Sequence, residues 1–412
     1  MDKNMLGVAI DIGTTTVALH LTDMETGVRL ATVGGVNAQS PYGADVTSRI
    51  RYSKENGHEL LTCLIREQIS SMIGEACLHA KAQPSDIEYI TIAANTIMQH
   101  LVAGYSPVNM GVAPFTPMSL FGEELPVWDG LPVADSAKIY YTPAISAYVG
   151  GDITAGLFAA GFEDLSEPAI FLDIGTNGEI VLKHKNTYYC CATAAGPAFE
   201  GAEITMGMAA VDGAIDHVSK TENRPLSCSV TGDNPRGGDG SLSYSVIGGG
   251  VAKGICGSGL LDLLAVLLDT GEVDETGRLL RKTENRPLSY EVYITAGDIR
   301  QLQLAKAAIA AGIEVLIHFA GVSVNDIKLL ALAGGFGSYM DLESAARIGL
   351  FPKELLPVAK AFGNTAGEGA ALALCSPDSH RRLKSIQARC EYIELSTMTF
   401  FNDKFVDQMG FE

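Results

Sequence analysis

Two short segments carry the residue types that grip phosphate. Asp11-Ile12-Gly13-Thr14-Thr15-Thr16 follows the apolar run Leu6 to Ile10, and Asp173-Ile174-Gly175-Thr176-Asn177-Gly178-Glu179 follows Ala169 to Leu172. Each apolar run reads as a buried strand, and the glycine after it permits a turn that most residues cannot make. Hydroxyl and backbone N–H donors then crowd that turn. A carboxylate at a strand end beside such donors suits a hydrated magnesium ion whose other ligands are phosphate oxygens, so Asp11 and Asp173 are expected to hold Mg2+ through water. One Asp-x-Gly-Thr turn alone is as well explained by ordinary hairpin chemistry. Two copies in the same strand, turn, strand setting favour the ligand.

Further segments join the two turns. Gly334-Gly335-Phe336-Gly337 lies between a predicted strand and a helix and offers backbone bare enough for a flat base and ribose, although glycine runs also serve as plain punctuation. Gly150-Gly151-Asp152 opens an apolar, small-residue helix, where Asp152 is either an N-cap or the group that orients or deprotonates a nucleophile. Glu200, in the Gly-flanked turn from Gly196 to Glu203, is placed to reach a ribose hydroxyl or is a surface carboxylate. Gly257 and Ser258 open another helix and either turn N–H groups toward a nucleotide or allow tight helix packing. Asn95 follows a strand as a loop entering a cleft would, and His100 reads as a satisfied helix histidine. No G-x-x-x-x-G-K-[ST] loop occurs, and no G-x-G-x-x-G follows the first strand, which disfavours those nucleotide folds.

The elements that must position these residues follow from hydrophobic period. Leu6 to Asp11, Thr16 to Asp23 and Gly27 to Gly35 predict a three-stranded meander, and Ala169 to Asp173, Glu179 to Lys183 and Asn186 to Cys191 predict a second. Helices are expected over Glu59 to Ala80, Asn95 to Ala103, Ile153 to Ala160, Gly259 to Leu268, Ala296 to Phe319, Ala366 to Cys375, His380 to Arg389 and Thr397 to Met409. Strands are expected at Ile87 to Ala93, at Ile327 to Leu332 and near Tyr392. The Ser, Gly and Asp-rich stretch from Val218 to Gly250 reads as a surface excursion, and the octapeptide Lys220 to Ser227, repeated as Lys282 to Ser289, as two exposed loops.

Composition narrows the function. The 412 residues are 47% hydrophobic and 19% charged, more chain than one core usually holds, so two domains are expected, 1–164 and 165–412. A net charge of −19 and a pI near 4.8 argue against nucleic acid or an anionic membrane as partner. Met1-Asp2-Lys3-Asn4 lacks a basic region leading into a secretory apolar segment, and no run reads as long and unbroken enough to span a bilayer, so a cytoplasmic protein is expected. The eight cysteines show no C-x-x-C pair or cluster pattern and read as reduced thiols. Phosphoryl transfer rests on positioning and charge stabilisation, so a cleft closing on ATP between two such domains suffices for hydrolysis or kinase chemistry.

In their order, the two Asp-Ile-Gly-Thr turns and the Gly334 to Gly337 motif resemble the phosphate-1, phosphate-2 and adenosine motifs of the superfamily that unites actin, sugar and acetate kinases and chaperone ATPases. That resemblance implies an α/β fold of two actin-like (ribonuclease H-like) domains with a nucleotide cleft between them. The longer strings Asp11 to Val17, Asn95 to Met98, Gly111 to Phe115, Gly151 to Gly156, Ala194 to Ala202, Gly254 to Asp262, Gln303 to Ala311 and Leu332 to Tyr339 are similar to the ATPase part of the reductive activators of corrinoid proteins. It implies ATP/ADP and Mg2+ as cofactors, Asp11, Asp152 and Asp173 as the catalytic carboxylates, a corrinoid protein or corrinoid methyltransferase component as partner, a homodimer, and ATP-driven return of cob(II)amide to cob(I). Such activators usually add an iron–sulfur domain. This chain starts almost directly on the first turn without a cysteine cluster, so no iron–sulfur cluster is expected in it, and a separate domain or ferredoxin would supply electrons. A small-molecule kinase using Asp152 as base, or a nucleotide-sensing scaffold, are the alternatives.

Overall fold

The computed structural model describes residues 5–220, 242–280, 285–289, 291–337, 339–376 and 378–411. The chain divides into two units. The first comprises Met1–Ser166, Lys185–Cys190 and Asn364–Tyr392, and the second Glu167–His184, Cys191–Gly363 and Ile393–Glu412. Sequence reading placed 364–392 in the second span; in the structure this segment packs with the first unit, for a reason visible in its side chains.

In the first unit, β1 (Leu6–Ile12), β2 (Thr16–Asp23), β3 (Arg29–Val36), β4 (Ile87–Ala94), β5 (Glu124–Pro126) and β6 (Lys138–Tyr141) form one sheet in the order β3-β2-β1-β4-β6-β5. The first three strands are the expected antiparallel meander, while β1, β4 and β6 run parallel. Side chains alternate across the pleat, so Val8, Ile10 and Ile12 face one side of β1 and Ala9 the other. The large residues meet Leu61, Ile65, Ile69 and Ile73 of helix Glu59–Ala80 and Ile97 and Leu101 of helix Thr96–Ala103. The small face, Ala9 and Ala93, meets Ala155 of helix Gly151–Ala159 and Ala366, Ala370 and Leu374 of helix Thr365–Cys375. Two buried faces explain why β1 reads as an unbroken apolar run. Helix Val46–Asn56 escaped the sequence reading because Val46 and Ile50 are its only buried aliphatic residues; an Asp45–Ser48 capping box starts it.

The second unit is built on β7 (Ala169–Ile174), β8 (Gly178–His184) and the Cys191–Thr193 end of β9 (Thr187–Thr193). β7 pairs antiparallel with β8. Flanking them in chain order are β10 (Ala214–Lys220), β11 (Leu242–Val246), β12 (Gly254–Ile255), β13 (Asn285–Pro287), β14 (Tyr293–Thr295), β15 (Leu329–Ala333) and β16 (Ala359–Gly363). β15 lies parallel between β7 and β16. Helix Ala296–Ala320 packs on β8 and helix Gly257–Asp269 on β10. In the first unit, Cys390–Tyr392 pairs parallel with Tyr188 to Cys190.

Three expectations need correction. The stretch from Val218 to Gly250 is not all excursion, because β10 and β11 pair antiparallel at its flanks; 221–241, with Cys228, Pro235 to Gly240 and nearly all of the first octapeptide, lies outside the described residues. The second octapeptide is not an exposed loop in its described part. Asn285–Pro287 is a strand, Leu288 and Ser289 are buried, and Arg286 is 1% exposed because Glu272 pairs with its guanidinium at 3.1 Å. Finally, helix Ala296–Ala320 is long and apolar enough by length and composition to cross a bilayer, but 72% of its most apolar window is buried inside the protein, as a core helix requires.

The small-residue face sets a tight limit. A β-carbon on Gly369 would lie 2.1 Å from the Ala155 carbonyl oxygen of the neighbouring helix. Gly369→Val is therefore expected to destabilise the protein by about 1–3 kcal/mol through overpacking, read as a lower urea midpoint with unchanged slope.

Candidate functional site

In the first unit the predicted residues gather at the carboxyl ends of the parallel strands, where open α/β sheets bind ligands. Asp11 closes β1, Asn95 follows β4, and Gly150 to Asp152 follow β6. Asn95 caps helix Thr96–Ala103 by accepting the Met98 N–H at 2.9 Å, and its Nδ2 donates to Thr14 Oγ1 at 3.2 Å. A β-carbon on Gly150 would fall 2.4 Å from the Asn95 Cα, and one on Gly151 2.4 Å from the Thr142 carbonyl oxygen. These glycines lay one loop directly on the next. Thr15 and Thr16 are exposed.

Asp152 is not the N-cap. Gly150 holds that position, and Asp152 sits in the first helical turn with Oδ1 accepting the Ile153 N–H at 2.8 Å, where the helix dipole favours a carboxylate. His100 is fully buried with both ring nitrogens occupied. Nδ1–H donates to the Thr96 carbonyl at 2.7 Å, Nε2 accepts the Met118 N–H at 3.0 Å, and burial pushes its pKa down to about 4. A neutral, doubly bonded imidazole is structural.

Asp11 has a partner that sequence reasoning missed. Asn364 Nδ2 donates to Asp11 Oδ2 at 2.8 Å, while Asn364 Oδ1 accepts the Gly367 N–H at 2.9 Å and caps helix Thr365–Cys375. Enclosure by protein atoms pushes the Asp11 carboxyl up to about 6, against the Asn364 amide, which favours the ionised form.

The second unit assembles its own half. A β-carbon on Gly334, whose φ is +84°, would stand 2.4 Å from Asp173 Oδ1, so the adenosine-type motif and the second turn touch. The motif lies between β15 and helix Leu342–Arg347, as expected, and itself winds into one short helical turn, Gly334–Gly337. Glu200 meets the turn: Thr176 Oγ1 donates to Glu200 Oε1 at 3.0 Å. The Gly175 N–H closes the turn on the Asn177 carbonyl at 2.9 Å. Phe336 stacks on Phe199 with ring centroids 5.2 Å apart, and Gly335 is exposed, with open space where a β-carbon would stand.

Three predicted contacts are drawn into packing. Gly257 has the Phe199 carbonyl oxygen 1.8 Å from its absent β-carbon, and Ser258 Oγ donates to the Asp216 carbonyl at 2.9 Å, so this helix start serves close packing. Gly178 is buried between Thr193 and Ile309. Among the described residues no group of three or more His, Cys, Asp or Glu could hold a metal, and the described cysteines are free thiols, only Cys63 being exposed.

Two α/β units, each presenting an Asp-Ile-Gly-Thr turn at the carboxyl edge of a mixed sheet, define an actin-like fold of the ASKHA class. The chain belongs to the RACo family: residues 6–165 match the RACo middle region and 167–412 the C-terminal ASKHA domain of RACo. It is 33% identical to the corrinoid activation enzyme RamQ of Eubacterium limosum, over 98% of this chain and 70% of that enzyme. It is 26% identical to the [Co(II) methylated amine-specific corrinoid protein] reductase of Methanosarcina barkeri, over 99% of this chain and 77% of the relative. Among solved structures, a reductive activator for corrinoid, iron–sulfur protein superposes with a TM-score of 0.85 at 35% identity, covering all of this chain and 67% of that one.

Replacing Asn364 by Ala removes the bond that favours the Asp11 carboxylate. The expected outcome is a further rise of the Asp11 pKa above about 6, followed by the carboxyl carbon shift in an NMR titration.

Proposed function

We propose that this protein is an ATP-dependent activator that returns an inactivated corrinoid protein from cob(II)amide to cob(I). The observation that carries the reading is the pairing of family membership with two intact Asp-Ile-Gly-Thr turns. Supporting ATP and Mg2+, the first turn exposes Thr15 and Thr16 beside Asp11, and Gly335 leaves open space beside Phe336 for a flat base. Bound Mg-ATP would supply the free energy for an unfavourable one-electron reduction, while the electron would come from an iron–sulfur domain or ferredoxin. Asp11 and Asp173 would hold Mg2+ through water, Asn95 would keep Thr14 in place, and Asp152 would orient the attacking water. The protein would act in the cytoplasm as a homodimer, by analogy with the family, its dimer mass measurable by light scattering.

The test is titration with a cognate cob(II)amide protein, with and without Mg-ATP, in the presence of a low-potential electron donor. ATP-dependent binding and growth of the cob(I) absorbance are expected. Absence of any ATP-dependent binding or spectral change sinks the proposal, and ATP consumed only when a metabolite is added, with a phosphorylated product, would make the protein a kinase instead.

The carboxylates have separable roles. Asp11→Ala and Asp173→Ala are expected to weaken Mg-ATP binding by about tenfold or more, whereas Asp152→Ala leaves binding intact and slows hydrolysis. Calorimetry and a phosphate-release assay distinguish them; equal loss of binding in all three would remove Asp152 from its role. Since Asp11 titrates near 6, its carboxylate is lost as pH falls through that value. Mg-ATP affinity should fall in the same window, and Asp11→Asn should abolish that pH dependence.

A further inference from the structure

The first phosphate turn rests on a buried polar plug that its sequence motif does not include. Asn37 Nδ2 donates to the Gly13 carbonyl at 2.8 Å, and the Asn37 N–H donates to the Thr15 carbonyl at 2.9 Å. Arg49 Nη2 donates to the Thr14 carbonyl at 2.5 Å. Three successive carbonyls of the turn are thus tied to the protein side. In a planar trans peptide the following N–H points the opposite way, so the Thr14 and Thr15 amides are turned away from the plug.

Among the described residues the charge of this plug is in ion-pair contact with no carboxylate. Asn37, Gln39 and Arg49 are all 0% exposed. The remaining donors of Arg49 go to neutral acceptors, Nε to the Gly43 carbonyl at 3.0 Å and Nη1 to Gln39 Oε1 at 3.0 Å. The carboxylate whose charge reaches it is Asp45, and that group is committed to the Ser48 N–H at 2.6 Å as a helix cap. Burial pushes the Arg49 pKa down to about 10, the mark of a cation held where charge is costly. Interior arginines are normally compensated by a carboxylate.

We infer that Arg49 is a positioning residue for the nucleotide. With Asn37 it pulls the Gly13, Thr14 and Thr15 carbonyls inward, making the turn a donor-only anion nest, and its buried charge is balanced by the phosphate that the nest receives. This rests on the reading of the turn as a nucleotide site. It also answers how a chain of net charge −19 accepts a polyanion. The attraction comes from one fixed charge behind the turn, in a region of low dielectric where it is weakly screened.

The experiment compares Arg49→Gln, Arg49→Lys and Gln39→Glu in the full chain, using Mg-ATP and adenosine as probes and thermal unfolding as control. Arg49→Gln is expected to lose about tenfold or more in Mg-ATP affinity and nothing toward adenosine, while Arg49→Lys, which keeps the charge, loses less. Gln39→Glu keeps the guanidinium but places a carboxylate on Nη1, giving up the Gln39 Nε2 bond to the Leu61 carbonyl. A folded Gln39→Glu protein should likewise bind Mg-ATP more weakly with adenosine unchanged, and it decides the matter if Arg49→Gln does not fold. Wild-type affinity for Mg-ATP in either neutralised variant, or equal loss of adenosine binding, overturns the inference. Failure of the wild-type protein to bind Mg-ATP at all overturns instead the nucleotide reading on which it rests.

Discussion

The structure depends on backbone segments approaching one another where a β-carbon would not fit. At Gly150 that carbon would stand 2.4 Å from the Asn95 Cα, at Gly334 2.4 Å from Asp173 Oδ1, and at Gly257 1.8 Å from the Phe199 carbonyl oxygen. The first two contacts join loops at the carboxyl ends of neighbouring strands, β6 with β4 and β15 with β7, so these glycines decide which loops lie together, whereas the third packs the start of helix Gly257–Asp269 on the Phe199 turn. Strand order follows a related rule: β4 lies parallel beside β1, β6 parallel beside β4 and β15 parallel beside β7, so the loops of Asp11, Asn95 and Gly150 open on one edge while Gly334 reaches Asp173. A different pairing would disperse the same motifs along opposite edges.

The elements legible in the sequence were those with a clear period or an apolar run. Helix Glu59–Ala80 is legible from Leu60, Cys63, Leu64, Ile69 and Met72 near helical spacing, although of these only Ile69 and Met72 are buried and the buried face runs through Leu61, Ile65, Ile69 and Ile73. β1 and β7 are unbroken apolar runs because both their faces are covered. Helix Val46–Asn56 was illegible for the opposite reason: Arg49 and Ser53 take half of its four buried positions. The reading of Lys282 to Ser289 as a loop followed polarity, and polarity misled because Glu272, close to it in space as well as in sequence, neutralises Arg286 inside the second unit.

For the site, short-range chemistry was legible and longer-range support was not. Asp11, Thr14, Asp173 and Gly334 stand out as candidates from their own strings. Gly257, Gly178 and Ser258 carry the same kinds of residue, yet the fold spends them on packing. Nothing in the string distinguishes a glycine bare for a ligand from a glycine bare for a neighbouring carbonyl. Asn37, Arg49 and Asn364 act on the first turn from 22 or more residues away, and a polar residue type at such a distance looks like surface. Only Asn364 left a usable trace, as an N-cap amide three residues before Gly367 at the start of an apolar helix.

Asn364 links the chemistry of Asp11 to a helix. One amide serves both groups: its nitrogen holds Asp11 and its oxygen holds the first turn of helix Thr365–Cys375. Rotation of that amide to follow a change at Asp11 must therefore release or strain the cap, whose loss costs about 1 kcal/mol. The helix cannot absorb the change by sliding, because Gly369 already lies against the Ala155 carbonyl and Ala366 and Ala370 against Ala9 and Ala93. The ionisation and ligation of Asp11 are thus tied to the start of a tightly packed helix.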